Sequence, residues 1–228
     1  MNLWSVFRIP TIRESYAKFR FVLFRKLFSV RSESGLLNVS HAQYSLDALN
    51  GYVSIADRIT FLVSCVDSAR RRKKEDLLLS LGPRFEAELF GFRAIGYNRK
   101  NIFALDSNSY SKLMSVGNMH NMHYENSFFD IVVGGWILAY SEDPLSAIDE
   151  IFRVTKPGGL AVLSWDMPLK SPNGSLDYKD LHLVYGDGKS ISLDTLRVGW
   201  EVKSLFTGNT SWSHEVEIAL VVLQKPFN

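Results

Sequence analysis

One segment, Asn118–Leu163, constrains the fold more than any other part of this chain. A polar loop leads into the apolar run Phe129–Val133, and an acid-rich start at Ser141–Pro144 opens an amphipathic helix. A Lys-Pro-Gly-Gly turn at Lys156–Gly159 then precedes a second apolar run, Leu160–Trp165. Two buried strands joined by a helix make a βαβ unit, and such units build parallel sheets.

The same alternation of apolar runs and amphipathic stretches extends over the chain from Glu75 onward. The pattern predicts an α/β fold with a mostly parallel sheet and helices on both of its faces. We predict strands at Asp76–Leu81, Asn101–Leu105, Phe129–Val133 and Leu160–Trp165, a weaker strand around Leu113–Val116, helices near Arg84–Ile95 and Pro144–Val154, a short helix at Ile191–Val198, and two C-terminal strands at Trp200–Phe206 and Glu215–Leu223.

Composition excludes several classes of protein. The 228 residues are 46% hydrophobic, which is enough for one sizeable core. The net charge of +2 is near neutral, so we expect no nucleic-acid partner. The lone Cys65 excludes an intramolecular disulfide and a multi-cysteine metal site, and it favours a reducing compartment. Because no membrane-spanning run and no secretory signal is found, we expect a cytoplasmic protein. No spacing of His, Asp and Glu residues resembles a metal site, so we expect none.

Residues 1–34 differ from the rest and form a separate N-terminal helical extension before a domain over residues 35–228. They carry seven Lys and Arg residues, two Glu residues and seven aromatic residues. One stripe at helical spacing contains Ile12, Tyr16, Phe19, Leu23 and Leu27. Other aromatic side chains lie off this stripe, so three interpretations stay open for residues 1–30. The helix docks on its own domain, lies at a membrane surface, or binds a protein partner.

A polar stretch, Ser32–Ser45, is typical of a linker. A helix then starts near Ser54, with Leu62 and Val66 on its inner face, and ends in the basic run Arg70–Lys74. These cations suit a helix C-terminus, and an anionic partner is the alternative explanation.

The run F-F-D-I-V-V at Phe128–Val133, followed by E-I-F-R-V-T-K-P-G-G at Glu150–Gly159, closely resembles the second half of a class I S-adenosylmethionine (SAM) methyltransferase core of the type-11 kind. The resemblance implies a Rossmann-like seven-stranded sheet whose last strand is antiparallel, SAM as cofactor, and methyl transfer. It covers about a fifth of the chain. The family usually has a Gly-x-Gly-x-Gly loop after the first strand, and this chain keeps Gly82 alone there.

The cofactor would lie at the carboxyl ends of the parallel strands. By the resemblance, Gly82 lets the backbone approach it, and Glu86 accepts a hydrogen bond from its ammonium, unless this acid merely caps a helix. Asp106 follows the second strand, where a carboxylate can accept both ribose hydroxyls, or else it is a turn residue. Asn118 stands where the family has an acid for the adenine amino group, and Met119 would pack on the purine.

Trp136 follows the fourth strand and either lines the cofactor pocket or belongs to the core. A hydroxyl acceptor needs a general base, and His123 is the first candidate, with Tyr140 the second catalytic candidate. The alternative for His123 is a surface histidine without a role. His120 and Asp166 are further candidates for the base.

The sequence thus predicts a SAM-dependent methyltransferase that O-methylates a small-molecule, saccharide or lipid-linked glycan acceptor. No Asn-Pro-Pro-Tyr or Asp-Pro-Pro-Tyr motif is present, so the resemblance argues against methylation of exocyclic amines. The alternative is a methyltransferase-like binding or assembly protein without catalysis, favoured by the missing glycines and by Asn118. A nicotinamide-binding Rossmann protein is a third, weaker alternative.

Overall fold

The computed structural model describes residues 3–27, 31–32, 62–66, 74–83, 85–168, 181–185, 188–210 and 213–227. The chain forms two compact units, Met1–His123 and Tyr124–Asn228. Each unit combines strands with helices, as the alternating sequence pattern predicts.

The first unit contains the N-terminal helices and the first strands of the sheet. In chain order these elements are a 3-10 turn Leu3–Arg8, α1 Pro10–Leu27, β1 Arg31–Ser32, β2 Leu78–Leu81, α2 Glu86–Ala94, a 3-10 turn Arg99–Asn101, β3 Ile102–Asp106, β4 Asn108–Ser109 and β5 Ser115–Val116. Residues 62–66 are also helical, and Leu62 and Val66 are buried as predicted.

The second unit contains the longer strands. Its elements are β6 Phe129–Gly135, a 3-10 turn Leu138–Tyr140, α3 Pro144–Val154, β7 Thr155–Pro168, β8 His182–Tyr185, β9 Lys189–Ser192, α4 Leu193–Leu196, β10 Glu201–Thr210 and β11 Ser213–Gln224. The sequence pattern did not predict the antiparallel β8–β9 pair, whose strands are short and partly exposed.

Seven strands form one sheet in the order β10-β11-β7-β6-β2-β3-β5. The pairs β2–β3, β3–β5 and β6–β7 are parallel, whereas β11 runs antiparallel to both β7 and β10. The predicted Rossmann-like sheet with an antiparallel last strand is therefore confirmed. The smaller pairs β1–β4 and β8–β9 lie outside this sheet.

The apolar runs become buried strands because a parallel sheet covered by helices has no solvent-facing side. All four residues of Leu78–Leu81 are buried, and so are Ile131, Val132 and Val133 in β6. The helix α3 begins where predicted, because Pro144 occupies its first turn and the Asp143 side chain accepts a hydrogen bond from the Ser146 amide (3.2 Å).

The Lys156–Gly159 segment forms an irregular step within β7 rather than a separate turn before it. The β6–β7 register passes from Phe129 opposite Thr155 to Ile131 opposite Leu160, so the extra residues of β7 bulge out of the ladder. Gly158 has φ +73°, and the Phe227 ring occupies the space where its Cβ would be. This close approach explains why the position requires glycine.

The N-terminal segment docks on its own unit, which was the first of the three interpretations for residues 1–30. The Phe7 ring stacks on Phe90 of α2 at 5.4 Å, and Arg8 Nε donates to the Ala94 carbonyl (3.1 Å). Phe21 of α1 is buried with its ring edge-on to Tyr110 at 4.7 Å. The docked side contains the buried Ala17 and Phe21. The residues of the predicted apolar stripe stay partly exposed, and among them Tyr16 contacts Phe90 of α2, with 5.3 Å between the ring centroids.

The predicted linker after Ser32, the helix start near Ser54 and the basic residues 70–73 lie outside the described residues. The division of the chain at residue 34 stays a prediction. Over the described ranges, no helix is long and apolar enough to cross a membrane.

Candidate functional site

The turn after β2 is built on Gly82. This residue has φ +60°, a left-handed conformation that favours glycine. Its amide donates to the Leu105 carbonyl of β3 (2.8 Å). The hydrogen bond holds the turn against the end of the neighbouring strand, beside Asp106. Gly82 and Asp106, which lie 24 positions apart in the sequence, are therefore neighbours in the fold.

Asp106 ends β3 and also fixes the start of the next loop. Its carbonyl accepts from the Gly117 amide (3.0 Å), which draws the segment after β5 toward the end of β3. Its Oδ1 accepts from the Asn108 amide (3.1 Å), so the side chain is oriented by the loop that follows it. Asp106 is half-buried and therefore within reach of a ligand at this edge.

His123 lies close to the same loop. A Cβ placed on Gly117 would be 3.7 Å from His123 Nδ1, so the imidazole lies beside Gly117. The His123 side chain is exposed. The structure thus brings together Gly82, Asp106 and His123 at the carboxyl ends of β2, β3 and β5, which is the edge where ligands bind in open α/β sheets.

The Asn118 side chain forms hydrogen bonds within its own loop. Its Oδ1 accepts from the His120 amide (2.9 Å) and lies 2.7 Å from His120 Nδ1. Because the amide oxygen of Asn118 already has two partners, an adenine amino group would have to displace one of them. Met119 is half-buried on the same loop. The adenine-binding roles of Asn118 and Met119 stay predictions.

The Glu86 carboxylate is fully buried at the start of α2 and has partners of its own. Arg20 from α1 binds it with two groups: Nη2 lies 2.9 Å from Oε1, and Nε forms an ion pair with Oε2. The Ser111 hydroxyl also donates to Oε1. A bidentate guanidinium is a strong carboxylate ligand, so a cofactor ammonium would compete with Arg20 for Glu86.

The sequence analysis did not predict three partners of Glu86, which are Arg20, Ser111 and Tyr110. Tyr110 accepts from the Glu86 amide through its hydroxyl (3.1 Å) and so caps α2, because the N-cap residue Phe85 has no polar side chain. Burial raises the pKa of Tyr110 well above its ordinary value, and the hydrogen bond to Glu86 raises the pKa of Arg20. Arg20 lies 66 positions from Glu86, and no local sequence pattern connects them.

Trp136 and Tyr140 belong to the second unit and follow β6. Trp136 is a non-glycine residue with φ +60°, and its amide donates to the Ser164 carbonyl (2.8 Å). Its indole Nε1 donates to Asp166 Oδ1 (2.5 Å). Residues held in such strained conformations cluster at functional sites. The Trp136 side chain is buried, whereas Tyr140 is 46% exposed, and the roles of both stay predictions.

Of the predicted cofactor contacts, Gly82 and Asp106 fit S-adenosylmethionine best. The glycine turn gives backbone access beside a half-buried carboxylate that can accept ribose hydroxyls. Glu86 and Asn118 fit less directly, because both already have partners within the protein. In the part of the chain that the structure describes, no group of three His, Cys, Asp or Glu side chains is placed to hold a metal ion.

A comparison with protein families gives a match over part of the chain. A family model described as a methyltransferase domain matches residues 92–163. This match implies S-adenosylmethionine as the cofactor. A search of curated proteins returns no match.

Solved structures share the fold at low sequence identity. A candidate sarcosine dimethylglycine methyltransferase from Galdieria sulphuraria has a TM-score of 0.53 at 14% identity, covering 74% of this chain and 85% of that one. A chain of the complex between the Trm112 methyltransferase activator and a candidate methyltransferase from Haloferax volcanii has a TM-score of 0.55 at 14% identity, covering 82% and 96%. The cyclase SpnF has a TM-score of 0.54 at 17% identity, covering 76% and 82%.

Proposed function

We propose that this chain, a class I SAM-dependent methyltransferase by its domain and its fold, transfers a methyl group to a hydroxyl of a small molecule, a saccharide or a lipid-linked glycan. The observation that carries the proposal is the cluster of Gly82, Asp106 and His123 at one edge of the sheet. It combines backbone access, a carboxylate for a ribose and a candidate base.

Each of these residues has a separate part in the proposed reaction. S-adenosylmethionine supplies an activated methyl group on its sulfonium when bound. Asp106 would hold the ribose hydroxyls, and the Gly82 turn would admit the cofactor close to the backbone. His123 would take the proton of the acceptor hydroxyl as a general base. The remaining contribution of the protein is alignment of acceptor and donor.

The choice of a hydroxyl acceptor follows from the residues at the end of β6 and directly after it. They are Gly134, Gly135, Trp136 and Ile137, so the Asn-Pro-Pro-Tyr or Asp-Pro-Pro-Tyr motif of enzymes that methylate exocyclic amines is absent from the sequence at this point. A hydroxyl must lose a proton during methyl transfer, and the exposed His123 beside Gly117 is placed in the loop that would meet an acceptor.

We also propose that the enzyme acts at a membrane surface. Residues 1–30 would bring a cytoplasmic enzyme into peripheral contact with a membrane, where a lipid-linked acceptor is found. Contact with a protein partner is the alternative for the same segment. The Haloferax volcanii neighbour, which comes from a complex with an activator protein, gives an example of such a partner in this fold.

A binding or assembly protein without catalysis is the second candidate. The observation in its favour is that Arg20 and Ser111 already bind Glu86, and His120 already binds Asn118. Two of the groups predicted to hold the cofactor are thus used within the protein. The cyclase SpnF also has this fold, so the fold alone does not fix the reaction.

A transfer assay with methyl-labelled SAM tests the proposal. Acceptors should include small alcohols, oligosaccharides, lipid-linked glycans and, for contrast, primary amines. We expect label in a hydroxyl acceptor and a turnover roughly 10²–10⁴-fold lower in His123→Ala, with SAM affinity unchanged. His182→Ala, which removes a histidine from the β8–β9 pair, is the control and should keep wild-type turnover. Label in amines alone, or wild-type turnover in His123→Ala, would contradict the proposal.

A further inference from the structure

Trp136, directly after β6, is held in a backbone conformation that tryptophan rarely adopts. Its φ of +60° lies in the left-handed region. Two hydrogen bonds to β7 hold it there: its amide donates to the Ser164 carbonyl (2.8 Å), and its indole Nε1 donates to Asp166 Oδ1 (2.5 Å). The backbone makes the first bond, whereas the second requires a side chain with an N–H group. The indole therefore has a specific effect, which is to orient the Asp166 carboxylate.

Ser164 lies two residues before Asp166 in β7, so the two side chains are on the same face of the strand. Ser164 is 1% exposed, yet its Oγ forms no hydrogen bond with any residue that the structure describes. The residue opposite it in β6 is Gly135, which has no side chain to pair with the hydroxyl. A buried hydroxyl without a partner destabilises a fold, and native proteins keep few of them. Packing of the second unit thus does not explain why a serine stands here.

Two independent departures from low-energy structure therefore occur at directly hydrogen-bonded residues. One is the backbone strain of Trp136, and the other is the unsatisfied hydroxyl of Ser164. They lie where the parallel pairing of β6 with β7 ends, at the edge where ligands bind in open α/β sheets. Asp166 adds an exposed carboxylate at the same place. Such departures are expected at functional sites, because a bound ligand rather than the fold makes use of them.

We propose that Asp166 and Ser164 bind the methyl acceptor, that the acceptor is a neutral polyol or saccharide, and that Trp136 is the positioning residue for Asp166. This step rests on the proposed function and names the groups that recognise its acceptor. Asp166 accepts a hydrogen bond from a hydroxyl that is not methylated, since the proton of the reacting hydroxyl goes to His123. The Ser164 hydroxyl, which can donate and accept, pairs with a second hydroxyl of the same molecule.

The spacing and charge of the two groups select this class of acceptor. Residues two apart on a strand are about 6.6 Å apart, a distance that two hydroxyls of one sugar unit can bridge. A carboxylate accepts hydrogen bonds and cannot donate them when ionised, so it suits a hydroxyl. Its negative charge disfavours a phosphate or carboxylate on the part of the acceptor that is bound here.

Transfer kinetics of the full-length chain with a hydroxyl acceptor test the site. We expect Asp166→Ala to raise KM for the acceptor roughly tenfold or more at nearly unchanged kcat and SAM affinity, because a hydrogen bond to a charged group is lost. Trp136→Phe keeps the backbone hydrogen bond and removes the indole N–H. It should raise KM less, and it should have no further effect when added to Asp166→Ala. The matched control is Trp165→Phe, which removes an indole N–H that donates to the His182 carbonyl (3.2 Å) from the opposite face of β7, and it should keep the wild-type KM.

Ser164→Ala distinguishes a binding group from a residue that the fold requires. The change removes a buried hydroxyl that lacks a partner among the described residues, so the urea midpoint of unfolding should stay the same or rise. KM for the acceptor should rise as well. Stability gained together with acceptor binding lost is the behaviour of a functional site. A lower midpoint with an unchanged KM would overturn the proposal.

Saturation-transfer NMR with maltotriose, myo-inositol and, for contrast, ethanolamine detects binding without requiring catalysis. We expect signals from at least one of the two polyols with the wild type and much weaker signals with Asp166→Ala. Polyol binding without label transfer would support the site and contradict the proposed function. Label transfer with a wild-type KM in Asp166→Ala would overturn the site and leave the proposed function standing. No polyol binding by the wild type, or binding of ethanolamine in its place, would also overturn the site.

Discussion

Asp106 is held at the end of β3 by two backbone hydrogen bonds that leave it half-buried. Its carbonyl accepts from Gly117, and its Oδ1 accepts from the Asn108 amide. Gly82, whose amide donates to Leu105, lies beside it. The carboxylate is thus oriented by the loop that follows it, where the Ser107 hydroxyl also donates to Oδ1 (3.4 Å).

Replacing Asp106 with alanine should therefore weaken SAM binding without unfolding the protein. Hydrogen bonds to a charged group contribute roughly 1–3 kcal/mol, which corresponds to an increase in Kd of about five- to 150-fold. Titration calorimetry of Asp106→Ala measures this change. Asp149→Ala, an exposed carboxylate on α3, is the control and should bind SAM like the wild type. If Asp106→Ala keeps the wild-type affinity, the ribose assignment is wrong.

At the residue scale, the local sequence predicts where a side chain lies better than it predicts which side chains contact it. Gly82 after an apolar strand and Asp106 at the next strand end could be predicted, because parallel strands bring their carboxyl ends to one edge. The hydrogen-bond partners of Glu86 could not be predicted in this way. Arg20 reaches it from 66 positions away, and Ser111 from 25. Such contacts depend on how α1 packs, which no spacing in the sequence records.

At the scale of elements, the ion pair between Arg20 and Glu86 joins α1 to α2. Glu86 has 0% of its side chain exposed and Arg20 has 23%, and the guanidinium also lies over the Phe24 ring at 4.5 Å. A buried carboxylate is costly unless it is paired. The N-terminal helix therefore stabilises the first turn of α2, the helix that follows the Gly82 turn.

Removing the guanidinium should destabilise the protein more than removing an exposed cation from the same helix. We expect Arg20→Met to lower the free energy of unfolding by about 3 kcal/mol, because Glu86 is left buried without its ion partner. Lys26→Met should change it by less than about 0.5 kcal/mol. Adding Glu86→Gln to Arg20→Met should restore much of the loss, since the buried charge is then gone.

Urea unfolding of these variants provides the measurement. Equal losses in Arg20→Met and Lys26→Met would show that the pair does not hold the two helices together. A Glu86→Gln substitution that adds fully to the loss in Arg20→Met would also contradict the account, because residues in direct contact are expected to be coupled.

Helices and strands were more predictable where the spacing of their apolar residues was regular. The helix α3 has the predicted bounds, since its cap, its proline and its apolar period agree. The strand β7 is longer than predicted, because its glycine-rich bulge continues the ladder instead of ending it. The α1 stripe lies on one face as predicted, and its Tyr16 contacts Phe90 of α2, but the structure buries Ala17 and Phe21 from outside the stripe. With apolar residues on both faces, periodicity alone could not decide between them.

At the scale of the whole molecule, the matched methyltransferase domain, residues 92–163, begins in the first compact unit and ends in the second. The seven-stranded sheet and its antiparallel last strand were predictable because the family resemblance lies in the second half of the core. The first half, with its reduced glycine loop, departs from the family pattern. The candidate cofactor residues therefore lie in the part of the chain where the resemblance says least.

Titration calorimetry of the full-length chain with SAM, S-adenosylhomocysteine and NAD tests the central claim most directly. A methyltransferase with the proposed site binds both the donor and its demethylated product, because Asp106 would hold the ribose that they share. We predict saturable binding of SAM and S-adenosylhomocysteine and no binding of NAD. Saturable binding of NAD in their place, or no binding of SAM and S-adenosylhomocysteine by the folded protein, would contradict the account.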